Sequence, residues 1–264
     1  MAARLVPDGL WEIVAALIPV PPRRRQGGGI ARIDDRAVFT AIVFVLTTGC
    51  AWRHLPRGFG VSAATAHRRF TEWTRAGLWR QLHRAVLDRI GAAGEVDWTR
   101  AIADGASVRA KRGELTGPSP VDRGKPGSKI HVLSDAAGLP LAVAVTAANT
   151  HDSIALEPLV QAVPAIRSRR GPRRRRPAKL HADKGYDFPH LRTMLRRRGI
   201  TPRIARRGIE TSQRLGRHRW KIERTIAWLF GYRRLGIRYE RSAKRFAAFL
   251  TLAAALTCYK RIPN

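Results

Sequence analysis

GSKIHVLSDAAGLPLAVAVTAANTHDS, residues 127 to 153, is the stretch on which the fold turns. Lys129 to Ser134 and Leu139 to Thr146 are short runs rich in β-branched and apolar residues, and Asp135-Ala136-Ala137-Gly138 between them is a turn sequence. The period then becomes helical from Asp152 to about Val163. Two strands joined tightly and followed by a helix make the seed of a layered domain. Upstream, Thr99 to Ala103 reads as another strand. Downstream come a strand at Ala178 to Ala182, a helix at Phe188 to Arg198, a short strand at Pro202 to Ala205, a long helix from about Leu215 to Phe230, and an apolar helix from Ala243 to Tyr259. Three strands, helix, strand, helix, strand, helix is the order of a mixed α/β layer fold.

Before residue 96 the pattern is helical. A short helix is expected around Leu10 to Ile18, then a basic connector over Pro19 to Gly29 containing Arg23, Arg24 and Arg25. Helical periodicity resumes from Asp34 through Val38, Ile42, Val45 and Leu46 to Gly49, then from Ser62, a good N-cap, over Ala63 to Arg75, and again over Leu78 to Ile90. Ala63, Ala66, Phe70 and Trp73 recur at spacings of three and four, which leaves His67, Arg68, Arg69 and Arg75 on or near the other face. A helix with a docking face and a basic face resembles the reading head of a helix-turn-helix. Periodicity is equally consistent with a solvated helix of a three-helix bundle.

The chain has 264 residues, 50 Lys and Arg against 19 Asp and Glu, a net charge of +31, and 44% hydrophobic residues. That is enough apolar chain for a sizeable core, and enough positive charge to imply a polyanionic partner, nucleic acid rather than membrane. The acidic residues in the first helix argue against a secretory signal, and neither Ala37 to Trp52 nor Phe246 to Tyr259 has the roughly 18 apolar residues a spanning helix needs. Cys50 and Cys258 are too few for a disulfide framework or a cysteine zinc site, as expected in a reducing cytoplasm, and both read as core residues. Seven Arg crowd Arg167 to Arg176 with Gly171 and Pro172, which reads as a mobile loop, either simply solvated or in contact with phosphates.

Three acids stand out from the basic background. Asp104 follows the apolar run Ala101 to Ala103 and precedes Gly105; Asp183 ends the run Leu180-His181-Ala182. Each alone reads as a strand-terminating turn residue, but two strand-end acids converge if their strands are neighbours. Glu223 shares a helical stripe with Trp220, Ala227 and Phe230, so it is expected to face inward or into a cleft, paired, protonated or on a metal. Its ordinary partner would be Arg219, four residues earlier. Carboxylates in a basic chain suit phosphodiester chemistry, where acids hold hard cations and positive surface holds the backbone. His181 lies two residues from Asp183 on the same strand face and could orient it; His131 and His151 read as structural.

The segments DGASVRAKRG (104 to 113), 127 to 153, HADKGYD (181 to 187) and RWKIERTIAWLFGYRRLGIRYER (219 to 241) resemble those of bacterial insertion-sequence transposases, the insertion-sequence-five family being nearest. TGCAWRHLP (48 to 56) and the Phe70 to Trp79 segment resemble that family's N-terminal domain, so the resemblance covers nearly the whole chain. It implies an RNase H-like mixed sheet flanked by helices over residues 96–264, an Arg-rich insertion near 167–176, and a small all-helical, helix-turn-helix-like DNA-binding domain over residues 1–95. It also implies a DDE site in which Asp104, Asp183 and Glu223 hold two Mg²⁺ ions, with Mn²⁺ able to substitute. The family's Tyr and Lys around the Glu are replaced by Gly216 and Phe230; Arg217, Arg233 or Arg234 could offer phosphate contacts instead.

The expected activity is DNA transposition: binding of terminal inverted repeats, then metal-dependent cleavage and strand transfer by in-line attack on phosphorus. His67, Arg68 and Arg69 are candidates for the repeats, and Arg219, Arg233 and Arg234 for backbone. The expected partners are double-stranded DNA, as repeats and target, and a second copy or more on that DNA, with no membrane; the expected location is the cytoplasm, at the nucleoid. Two rivals stand: a nuclease that cuts without joining, and a catalytically inactive repressor acting through residues 34 to 90. A zinc enzyme is the poorest reading, since no His pair has ligand spacing.

Overall fold

The structure, a computed structural model, describes residues 5–20, 32–206 and 212–262, with side chains described from residue 220 onward in the helix that begins at residue 212. Most of the connector expected over Pro19 to Gly29, Arg23, Arg24 and Arg25 included, lies outside the described residues. Four helices precede the sheet: α1 (Asp8–Ala15), α2 (Asp35–Thr48), α3 (Ala63–Arg75) and α4 (Leu78–Ala93). Their ends are set chemically. Asp34 accepts from Ala37 N and Ser62 Oγ from Thr65 N, each satisfying an orphan amide, while Gly49 closes α2 at φ +73°.

The sheet begins with β1 (Ala101–Ala110) and continues through the two-residue β2 (Gly117–Pro118), β3 (Pro126–Asp135) and β4 (Pro140–Ala147). Then come α5 (Asp152–Ala162), β5 (Lys179–Ala182), α6 (Pro189–Arg197), β6 (Thr201–Ile204), α7 (Ser212–Phe230), the short β7 (Ile237–Arg238) and α8 (Ala243–Tyr259). The main strands lie in the order β4-β3-β1-β5-β6; β3 is antiparallel to both neighbours, and β5 and β6 run parallel to β1. An antiparallel meander extended by parallel strands from the edge of its first strand is the RNase H-like topology.

The β3–β4 turn is built by Asp135. Its buried carboxylate accepts from Ala137 N (2.9 Å), Leu139 N (2.8 Å) and Asp97 N (2.9 Å), and burial raises its pKa in spite of those three donors. Gly138 follows at φ +90°, where a Cβ would stand 2.8 Å from Thr225 Oγ1 of α7. Thr225 Oγ1 donates to Gly138 O (2.6 Å), and Lys221 and Arg224 donate to Ala136 O and Ala137 O. The tight turn is thereby a dock for α7.

One apolar core runs through the helical N-terminus and the sheet. Phe249 of α8 stacks on Phe70 of α3 at 4.2 Å, with Trp52 and Trp79 joining the same aromatic group. His83 of α4 donates from Nε2 to Pro140 O at the start of β4 (2.9 Å), beside the buried Cys258 of α8. Burial lowers the pKa of His83 to about 4, so the imidazole is neutral in this joint. Cys258 is core, as expected, while Cys50 is only half-buried.

Candidate active site

Asp104 is not at a strand end, as its position before a glycine suggested. It lies within the ten-residue β1, whose pairing with β3 continues unbroken from Ala101 to Arg109. Gly105 permits this: a Cβ there would come within 3.2 Å of His131 Nδ1 and 3.3 Å of Asp152 Oδ1, so the strand passes close over a packed cluster. Side chains alternate across a strand, so Asp104 projects to the face opposite that cluster.

Parallel pairing with β5 matches Ala101 with Leu180 and Ile102 with His181. Continued two residues further, that register sets Asp104 beside Asp183, on adjacent chains about 4.8 Å apart and on the same face. Asp183 stands where β5 gives way to a single 3₁₀ turn, Lys184–Tyr186, which it caps by accepting from Gly185 N at 2.8 Å. Asp104 Oδ1 likewise accepts from Gly105 N at 2.8 Å. A Cβ on Gly185 would sit 2.9 Å from Asp183 Oδ1, so a side chain there would have to displace this carboxylate. Asp187, the last residue of the same motif, serves the scaffold: Arg192 of α6 pairs with it at 2.7 Å and also donates to Ile204 O of β6.

Glu223 does not face inward. The buried face of α7 is Ile222, Thr225, Ile226 and Leu229, while Glu223 and Ala227 are exposed and Trp220 is 49% exposed. The helix docks through the turn contacts of Lys221 and Thr225, and that rotates the Trp220 stripe outward. Arg224 lies between the rings of Trp220 (4.8 Å) and Trp228 (4.6 Å) on this outer side. Arg219, Arg217 and Gly216 belong to the part of α7 whose side chains lie outside the described residues; Phe230 is half-buried against the core.

Among the described residues no three His, Cys, Asp or Glu side chains converge closely enough to hold a metal ion. Strand register brings together the two aspartates, and Glu223 stands outside any closed cluster with them. The pair nonetheless fits a divalent cation chemically: two carboxylates, hard oxygen donors, on adjacent strands, with Asp183 seated beside a glycine that leaves it room.

Behind β1 lies a polar cluster around His131 and His151, both expected to be structural. Lys129 Nζ pairs with Asp152 Oδ1 (2.9 Å) and donates to Thr150 O (3.0 Å). His131, fully buried, lies 2.8 Å from Thr146 Oγ1, and burial lowers its pKa to about 4. His151 caps α5, accepting at Nδ1 from Ser153 N (3.3 Å). Arg238 gave no sequence signal: it is buried, donates to Ser128 Oγ, Leu115 O and Glu240 O, and so staples β7 to the start of β3.

The basic candidates divide. Arg68 is exposed, but Arg69 is largely covered and paired with Glu72 (3.2 Å). His67 packs edge-on against Trp52 and 3.5 Å from Arg245; burial, then Arg245, lowers its pKa. Arg233 is exposed. Arg234 corrects the expectation of a phosphate contact: it is buried, paired with Glu240 at 2.7 Å, and donates to Cys50 O.

No described helix is long and apolar enough to cross a membrane. The chain matches a family model described as a transposase DDE domain over residues 94–258, and another, a putative transposase of the IS4/5 family, over residues 6–83. It is 49% identical over 147 residues to a putative transposase for insertion sequence element IS402 of Burkholderia cepacia, covering 56% of this chain and 70% of the relative. It is also 40% identical over 123 residues to an insertion element IS402 uncharacterized 16.2 kDa protein of the same organism, covering 46% of this chain and 84% of that one. Among solved structures it is similar to a pre-cleavage Mos1 transpososome (10% identity, 92% of this chain and 82% of that one, TM-score 0.33) and to a Mos1 strand transfer complex (12%, the same shares, TM-score 0.34). At those scores the fold rests on the strand order alone.

Proposed function

Since the chain belongs to the transposase DDE domain family, as an insertion-sequence transposase, we propose that Asp104, Asp183 and Glu223 are the acids at which it cleaves and joins DNA. The observation that carries this is the register of β1 and β5, which sets Asp104 beside Asp183 on one face. Two bound Mg²⁺ ions, for which Mn²⁺ would substitute, would supply Lewis acidity to the attacking and leaving oxygens of an in-line displacement at phosphorus. Cleavage by water and joining by a freed 3′-hydroxyl are then the same exchange of one oxygen for another on phosphorus.

The chain's own part is to place donors. The two aspartates come on strands, Gly185 keeps space at Asp183, and the turn at Gly138 anchors α7 with Glu223 on its exposed side. Arg68 and Arg233, both exposed, are the basic candidates suited to DNA backbone. The substrates are proposed to be terminal inverted repeats and target duplex, bound by a dimer or larger assembly, in the cytoplasm.

The test is strand cleavage and joining on a labelled duplex bearing the flanking repeat, with Mg²⁺ or EDTA, comparing wild type with Glu223→Gln. Joining that needs the metal and falls on the order of 10²- to 10³-fold in the variant is expected. Metal-dependent activity left intact in Glu223→Gln would remove Glu223 from the site.

A further inference from the structure

The Arg167 to Arg176 run is a built hairpin rather than a loose loop. Ile166 and Arg174 exchange both backbone hydrogen bonds at 2.7 Å. Asp88 of α4 accepts from Arg167 N (2.8 Å) and pairs with Arg173 (2.7 Å), and Arg174 lies over Trp98 at 5.6 Å. The approach is close: a Cβ on Gly91 would stand 2.1 Å from Arg167 O.

So fixed, the hairpin keeps all seven of its Arg exposed. Asp88 pairs with Arg173, but among the described residues no carboxylate lies within ion-pair distance of Arg169, Arg170, Arg175 or Arg176. Arg176 reaches to 2.7 Å from the Cβ position of Gly199, so the hairpin abuts the end of α6, where Arg196 and Arg197 are exposed and Arg198 pairs with Glu157 (3.4 Å). Concentrating like charge on a rigid frame is unfavourable unless a polyanion offsets it.

Its place is equally informative. The hairpin leads into the first residue of β5, whereas Asp183 follows the last, so the strand alone separates them by roughly 13 Å. We propose that this hairpin, with the end of α6, is a preset platform for the phosphate backbone of duplex DNA, holding a segment other than the one whose phosphodiester lies at the acids. Only the choice of DNA as the polyanion rests on the proposed function.

The experiment is binding of the full-length protein to a labelled 30-base-pair duplex of arbitrary sequence across a salt series in EDTA, where the acidic pair repels phosphate. Arg169→Ala combined with Arg170→Ala is expected to lower the slope of log affinity against log salt by about 2. Arg169→Lys with Arg170→Lys should restore it, separating charge from fold. The slope is read without metal and without chemistry, so a failed strand-transfer assay and a failed platform are told apart. An unchanged slope in the Ala pair, with wild-type thermal unfolding, overturns the platform.

Discussion

Two arginines both expected to touch DNA, Arg68 at the repeats and Arg234 at the backbone, have opposite fates. Arg68 stands in solvent on α3, whereas Arg234 is buried against Glu240. Arg234→Ala strands a buried carboxylate and is expected to cost about 3–5 kcal/mol in urea denaturation. Arg68→Ala should change stability by less than about 0.5 kcal/mol while lowering the salt slope of DNA binding by about 1. Equal stability of the two variants would show that the Arg234–Glu240 pair carries no weight. Gly185 is the other decisive residue. Gly185→Ala is expected to push the Asp183 carboxylate aside and cut metal-dependent cleavage by roughly 10- to 100-fold, with an unchanged unfolding midpoint. Full activity in that variant would mean the carboxylate can shift without loss. Asp104 and Asp183 were legible because acids at the end of apolar runs are conspicuous; the orientation of Glu223 was not, because a helical stripe shows which residues share a face but not which face is docked.

At the scale of elements, most helices and strands follow from periodicity and caps, and α8 runs over Ala243–Tyr259 as expected. The discrepancies come from pairing. β1 extends to Ala110 because β3 supplies partners as far as Arg109 and β7 pairs with Arg109 and Ala110, which local composition after Gly105 does not announce. The Arg hairpin is ordered because Asp88, 79 residues before Arg167, holds it. The Gly138 turn shows how one element places another. Gly138→Ala combines a strained φ of +90° with a 2.8 Å approach to Thr225, and should cost about 1–3 kcal/mol by denaturation. Strand joining should fall with it as α7 and Glu223 lose their seat; wild-type joining and stability together would show that the dock does not matter.

Across the whole molecule, stability should depend on pH through two buried imidazoles. His83 and His131 have folded pKa values near 4 against about 6.5 unfolded, so the unfolded chain binds more protons between those values. Their contribution is complete above about pH 6.5 and is lost as pH falls to 4, by up to about 3 kcal/mol each, with the raised Asp135 carboxyl offsetting part of the fall. The urea midpoint should therefore drop between pH 7.5 and 4.5; equal midpoints would mean these imidazoles take up protons without cost. The joint at His83 also shows why a boundary near residue 95 is visible in sequence although the core is continuous: the pattern changes from helix to strand there, while α4 and α8 pack together across more than 150 residues of chain. The sequence by itself determined the order of the main elements and the basic character, and made Asp104 and Asp183 conspicuous, because these follow from local periodicity, charge count and motif. Only the tertiary structure decided which arginines are buried, how α7 turns Glu223 outward and where the Arg hairpin is held, because each depends on contacts between residues far apart in the chain.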